Sequence, residues 1–306
     1  MQTKRQIQEL LTAAGVVPNR RLGQHFLVDL NLMRLVVDSA GIGPCDVVLE
    51  IGTGTASLTE ALAEQAGQVV TVELDPTLAG IARSRLAEKA NVQPLHTDAL
   101  SNKGSIAPAV VEAVAAARTK LGGTSRTLLV ANLPYDVASP IMVNLIKGPL
   151  IVDAMCVTVQ KEVAERMTAS PGRRDYGTLS IFLQVTGKVQ RLRNLPPGAF
   201  WPPPQVESAI VRYTRDANKV HKIENMDLLG TVVSLFIGHR RKMLRACVKG
   251  SPPELPHRDL WPGIFDQCSI DSTRRPEELS PEQYVALANA CHSLVRHSWG
   301  DNIINL

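Results

Sequence analysis

Asn132, Leu133, Pro134 and Tyr135 close an apolar run of strand type, Leu128–Ala131, with an amide, a proline and a phenol. An amide oxygen at the mouth of a buried strand accepts hydrogen bonds, proline stiffens the turn, and a phenol ring can lie flat on a heterocycle. Together these groups suit an aromatic amine. The N6 amine of adenine is a poor nucleophile because its lone pair is delocalised into the ring. If the Asn132 side-chain oxygen and a main-chain carbonyl at Leu133 or Pro134 accept its two N–H bonds, the nitrogen is drawn toward tetrahedral geometry and the lone pair is freed. Tyr135 then holds the base by stacking. A base treated in this way must first leave its stack.

The group that such an amine would attack is indicated upstream. In "VVLEIGTGTASLTEAL" Gly52 and Gly54 sit where a strand turns into a helix, Gly52 permitting a tight turn and Gly54 a close approach of backbone to ligand. Ser57 stands where the third glycine of a dinucleotide fingerprint would be, which weakens a pyrophosphate reading. Glu73 ends "VVTVELD" about 20 residues later, where a carboxylate can accept both hydroxyls of a ribose. Asp98 in "HTDAL" follows the next strand and can accept an adenine amine. A glycine turn, a ribose carboxylate and an adenine-reading aspartate describe an adenosine ligand without phosphate, and S-adenosylmethionine is that ligand. Taken singly, Gly-x-Gly is a tight turn, Glu73 a solvated strand end and Asp98 or Asn132 a helix N-cap. Their succession at the carboxyl ends of consecutive strands, the edge where open α/β sheets bind ligands, favours the site.

The elements that must position these groups follow a clear pattern. From Asp46 to about Gln160, short β-branched runs ("DVVLEIG", "QVVTVEL", "NVQPLH", "RTLLVAN", "AMCVTVQ") alternate with helical stretches, one of them opened by Pro76. Strands apolar throughout predict a mostly parallel sheet covered by helices on both faces. An Ala-rich helix within residues 106–121 fills one long connection and is given no role. A proline-rich stretch, "LPPGAFWPPPQVESAIVRY", leads into a last strand, and from about Asp216 the pattern is helical. The expectation is an α/β, Rossmann-like, S-adenosylmethionine-dependent methyltransferase domain over residues 1–215 and a small helical domain over residues 216–306.

Composition fits this frame. A chain of 306 residues can bury a substantial core, and a mean hydropathy of zero suits a soluble protein. No apolar run approaches the roughly 20 residues that cross a membrane, and the amino-terminal segment lacks the apolar block of a secretory signal, so a cytoplasmic location is expected. The five cysteines are scattered without a Cys-x-x-Cys pair, which predicts reduced thiols and no metal site. The net charge of +4 is modest. Basic residues cluster at Arg20–Arg21, Arg173–Arg174, Arg191 with Arg193, Arg240, Arg241 and Lys242 with Arg245, and Arg274–Arg275. On a helix, positions 241 and 245 would share a face, one turn apart, and meet a phosphate track.

Nearly the whole chain resembles the small-subunit ribosomal RNA adenine N6,N6-dimethyltransferases. The resemblance is carried, in order, by "RLGQHFLVD", "LEIGTG", "VVTVELD", "TDAL", "NLPY", "VQKEVAERMTASPGRRDYGTLS", "LPPGAFWPPPQVESAIVR", "HRRKMLR" and "STRRPEELSPEQYVALAN". It implies that His25 and Leu27 line the methionine end of the cofactor, with Gly52, Gly54, Glu73, Asp98 and Asn132 completing the set. It also implies that Phe200 closes on the target adenine opposite Tyr135, beside Pro134. The substrate so implied is small-subunit rRNA in an immature subunit, two adjacent adenines near its 3′ end being modified by a monomer whose helical domain grips RNA through Arg240, Arg241, Lys242 and Arg245. Thr53, His25 and Asp136 depart from the family's usual proline, asparagine and asparagine. The rivals are the macrolide-resistance enzymes of large-subunit rRNA, in which Leu133 is usually isoleucine, and a ribosome-assembly factor whose methylation is dispensable.

Overall fold

The computed structural model describes residues 1–19 and 23–300, with side chains as far as Val295; Arg20 and Arg21 lie outside the described residues. The helices are α1 (Lys4–Ala13), α2 (Leu30–Ala40), α3 (Ser57–Ala63), α4 (Pro76–Arg85), α5 (Pro108–Lys120), α6 (Ala138–Lys147), α7 (Lys161–Thr168), α8 (Thr178–Thr186), α9 (Ala217–Val220), α10 (Met226–Ile237), α11 (Leu244–Cys247), α12 (Trp261–Gln267) and α13 (Pro281–Gly300). The strands are β1 (Phe26–Leu27), β2 (Val47–Ile51), β3 (Gln68–Glu73), β4 (Val92–His96), β5 (Leu100–Asn102), β6 (Ser105–Ile106), β7 (Thr127–Asn132), β8 (Ala154–Gln160), β9 (Gly187–Leu195), β10 (Phe200–Trp201) and β11 (Ser208–Arg215).

Two compact units form. One comprises Met1–Ala164 with Val189–Arg215, the other Glu165–Lys188 with the chain from Asp216 onward. The single boundary expected near residue 216 omits this excursion. Residues 165–188 belong with the helical unit because the apolar face of α8 packs on α10 and α13.

In the first unit a seven-stranded sheet has the order β4-β3-β2-β7-β8-β11-β9. Strands β4, β3, β2, β7 and β8 run parallel, and β11 is antiparallel to β8. The order reverses between β2 and β7, so a crevice opens at their carboxyl ends. Strands β2, β3, β7 and β8 are buried almost throughout, which is why they read as continuous apolar runs. Local signals fix the helix ends that matter to the crevice. Asp75 caps α4 by accepting from Thr77 and Leu78 N–H, with Pro76 in the first turn. The helix that had no role, α5, packs on β2 and β3 through Val110, Ala113, Val114 and Ala117.

The helical unit has an aromatic core. Phe236 meets Trp261 edge-on at 5.4 Å and Tyr284 at 6.5 Å. The buried Tyr176 and Tyr284 hydroxyls donate to the carbonyls of Leu279 and Pro276 at 2.9 and 2.8 Å, so neither is left unpaired.

Candidate active site

The turn after β2 needs its glycines for different reasons. Gly52 has φ +90°, a conformation that disfavours any side chain; Gly54 has φ +57°, and a Cβ there would also press on the Phe26 ring at 3.0 Å. The turn is held from the neighbouring strand. Gly52 N–H donates to the Val72 carbonyl at 2.8 Å, and Gly54 N–H donates to Glu73 Oε2 at 2.8 Å. Glu73 Oε1 accepts from Asp75 N–H at 3.0 Å. Glu73 thus fixes the glycine turn, and each of its oxygens retains a lone pair for a ribose hydroxyl. Burial raises its pKa above the usual carboxylate value, although the hydrogen bonds from Asp75 and Gly54 pull it back.

Beneath the turn lies a group that motif reading passed over. Glu50, the next-to-last residue of β2, accepts from the hydroxyls of Thr59 and Thr71, both at 2.6 Å, and the Thr71 hydroxyl also pairs with that of Thr53. A carboxylate inside an apolar strand was the available signal. Burial pushes its pKa from 4.5 to about 8. Between those values the folded chain holds a proton that the unfolded chain has released, so stability should fall as pH rises through that window, at up to about 1.4 kcal/mol per pH unit. Glu50→Gln should flatten this segment of the stability profile. Denaturant titrations giving parallel profiles for the two proteins would show that Glu50 ionises normally.

At the end of β7, Asn132 Nδ2 donates to the His25 carbonyl at 2.8 Å, while Oδ1 is buried with no hydrogen-bond partner among the described residues. The amide is therefore oriented, with its acceptor still uncommitted. A cleft of about 230 Å³ brings His25, Gly52, Gly54, Glu73, Asp98, Asn132 and Pro134 together. Asp98 Oδ1 accepts from Leu100 N–H at 2.9 Å. Ile51, Val72, Leu74, Leu78 and Ala99 add apolar walls, and Gln24, Phe26 and Asp136 complete the rim. Leu74 is the wall that the sequence offered most plainly, an apolar residue between Glu73 and Asp75 that stays half exposed.

Three expected residues stand elsewhere. Phe200 is buried, paired through β10 with Leu27 of β1, and both belong to the hydrophobic core. The Phe200 ring packs in the core, and its closing on a target adenine opposite Tyr135 stays a proposal. The ring against Tyr135 is His25, stacked at 5.5 Å and 25°. His25 Nδ1 lies 2.7 Å from the Pro202 carbonyl, which can only accept, so that nitrogen carries the proton. Tyr135 is absent from the cleft wall. Its hydroxyl pairs with Ser208 at 2.8 Å, and burial raises its pKa. Leu27 borders a smaller chamber of about 50 Å³ with Gly52 and Asn132.

The basic residues of the helical unit also differ from expectation. α10 ends at Ile237, so Arg241 lies in a turn and Arg245 in the separate α11. Leu244 and Arg245 N–H donate to the carbonyls of Arg274 and Ser272, so α11 does not continue the hydrogen-bond ladder of α10. Arg240 is committed internally, to Glu277 at 2.8 Å and to the Arg174 carbonyl at 2.8 Å. Arg241, Lys242 and Arg245 are exposed.

The cleft suits S-adenosylmethionine on these grounds: acceptors at successive strand ends, apolar walls between them, and a turn whose two glycines both take positive φ. Residues 17–290 match the family model described as ribosomal RNA adenine dimethylase. The chain belongs to that family. It is 34% identical over 290 residues to the ribosomal RNA small subunit methyltransferase A of Geobacillus thermodenitrificans, covering 94% of this chain and 96% of that protein. The protein of the same name from Caldanaerobacter subterraneus is 36% identical over 279 residues, covering 90% and 98%. Among solved structures, a dimethyladenosine transferase from Plasmodium falciparum superposes with TM-score 0.68 at 24% identity, covering 86% of this chain and 96% of that one. The 23S rRNA methyltransferase ErmE superposes with TM-score 0.60 at 23% identity, covering 87% and 99%. At those identities the two structures speak for the fold. In this chain Asn132 and Pro134 of the NLPY turn and the Glu73-held glycine turn line one cleft.

Proposed function

We propose that this member of the dimethylase family transfers methyl groups from S-adenosylmethionine to the N6 amines of two adjacent adenines near the 3′ end of small-subunit rRNA. It would act as a monomer, in the cytoplasm, on an immature subunit. The observation that carries the reading is the buried, unpartnered Asn132 Oδ1 at the rim of a cleft shaped for adenosine. The resemblance of the curated relatives, which are small-subunit enzymes by name, favours this substrate over large-subunit rRNA.

Glu73 would accept the ribose hydroxyls and Asp98 the adenine amine of the cofactor. The bound sulfonium supplies an activated methyl group, so orientation and charge placement supply the rest. Asn132 Oδ1 accepts one N–H of the target amine. A main-chain carbonyl at Leu133 or Pro134 accepts the other; that of Pro134 already takes Val137 N–H at 3.3 Å and keeps a second lone pair. Tyr135, backed by the His25 ring stacked on it, would hold the target base. No helix among the described residues is long and apolar enough to cross a membrane.

Exposed Arg241, Lys242 and Arg245 are the proposed phosphate contacts, with Arg240 holding their support in place. Replacing Arg241 and Arg245 with glutamine should lower the salt slope of rRNA binding by about two and weaken all sequences alike. An unaltered slope across a salt titration would remove these side chains from the RNA interface. The overall reading is tested by mapping N6,N6-dimethyladenosine in rRNA from cells with and without the protein. Loss confined to two neighbouring small-subunit positions is expected, and loss from large-subunit rRNA alone would overturn the assignment.

A further inference from the structure

We infer that the hydroxyl of Thr158 positions the Asn132 amide through a water molecule held in the small chamber beneath the NLPY turn. Asn132 and Thr158 are register partners in the parallel β7–β8 ladder, which places their side chains on the same face of the sheet. Leu133 N–H donates to the Thr158 carbonyl at 3.1 Å, tying the turn to this residue. Thr158 is fully buried. Its Oγ1, like Asn132 Oδ1, is a buried polar atom with no partner among the described residues. Both residues line the chamber of about 50 Å³, which also touches Glu50, Gly52 and Thr53. An apolar cavity of that size stays dry, but one lined by an unpaired hydroxyl and an unpaired carbonyl holds ordered water. A lone polar threonine within the otherwise apolar run "AMCVTV" is the corresponding mark in the sequence.

The consequence concerns which end of the amide faces the target. The His25 carbonyl anchors Asn132 at its nitrogen. A second anchor at the oxygen fixes the amide plane, and because a carbonyl has two lone pairs, one remains for the target amine. Without the Thr158 link the amide can tilt or turn, bringing a donor toward a donor. The effect falls on the chemical step and leaves the binding of either substrate unchanged.

This inference rests on Asn132 being the acceptor of the target amine, so the experiment includes Asn132→Ala. The measurement is steady-state methylation of small-subunit rRNA by Thr158→Val, Thr158→Ala and Thr158→Ser, with melting curves. Thr158→Val should lower kcat roughly 10- to 100-fold with both KM values unchanged and no loss of melting temperature. Thr158→Ser, which keeps the hydroxyl, should restore kcat. Thr158→Ala adds no bulk and gives the same reading should the valine variant fail to fold. A wild-type kcat in the hydroxyl-free variants, an equal loss in Thr158→Ser, or a loss confined to KM would overturn the inference. If those outcomes accompany an inactive Asn132→Ala, only the role of Thr158 falls. An active Asn132→Ala would remove both readings.

Discussion

Asn132→Ala should lower the rate of methyl transfer at saturating S-adenosylmethionine roughly 10²- to 10³-fold while the affinity for rRNA changes little, the scale seen when one preorganised group aimed at a developing charge is removed. The reason lies in how the amide is held. Its nitrogen is committed to the His25 carbonyl and its oxygen has no partner among the described residues, so what alanine deletes is an oriented amide with an uncommitted acceptor. The fold has little to lose beyond that one bond, since β7 is secured by its ladders to β2 and β8. Asn132→Asp should be nearly as inactive, because a carboxylate cannot donate to the His25 carbonyl and is repelled by it. Single-turnover kinetics at saturating cofactor, beside filter-binding affinities, separate chemistry from binding. Rapid turnover by the alanine variant would refute the mechanism.

The second large effect concerns the cofactor. Glu73→Ala should weaken S-adenosylmethionine binding by about 3 kcal/mol, a hundredfold or more, because it removes acceptors from the ribose and also releases the Gly54 N–H. Glu73→Gln should fare little better. Its amide would direct a donor at either Gly54 N–H or Asp75 N–H, both of which now point at the carboxylate. The raised pKa adds a pH signature. The ionised form is the better acceptor, so affinity should decline on acidification, beginning at a higher pH than an ordinary glutamate would give. Calorimetry on folded Glu73→Ala giving wild-type affinity would take this residue out of the cofactor site.

The parts of this molecule that could be read from the sequence are those set by local pattern. The parallel strands β2, β3, β7 and β8 were legible because burial on both faces leaves mostly apolar residues in them. Gly52, Glu73 and Asn132 were legible because each ends or follows a strand of that kind, and Asp98 because it follows the half-exposed edge strand β4. What escaped depends on partners remote in the chain. For Phe200 the residue pattern alone favours a core aromatic beside a proline loop, and the pairing of β10 with β1 that buries it is set by residues far apart in the chain. Arg240 looks like one more exposed cation until Glu277 is placed beside it. The face shared by Arg241 and Arg245 presumed a continuous helix, whereas main-chain bonds to Ser272 and Arg274 hold that stretch in another shape. That Glu73 holds the glycine turn, besides facing the ligand, follows only from the position of Gly54 N–H.

The claim that most needs direct measurement is that this cleft dimethylates adenine N6 in small-subunit rRNA. The measurement is mass-spectrometric mapping of methylated nucleosides after the purified chain acts, with S-adenosylmethionine, on small and large ribosomal subunits that lack the modification. The account predicts N6,N6-dimethyladenosine at two adjacent positions near the 3′ end of small-subunit rRNA and none in the large subunit. Methylation of large-subunit rRNA alone, or of no adenine N6 in either subunit, would contradict it.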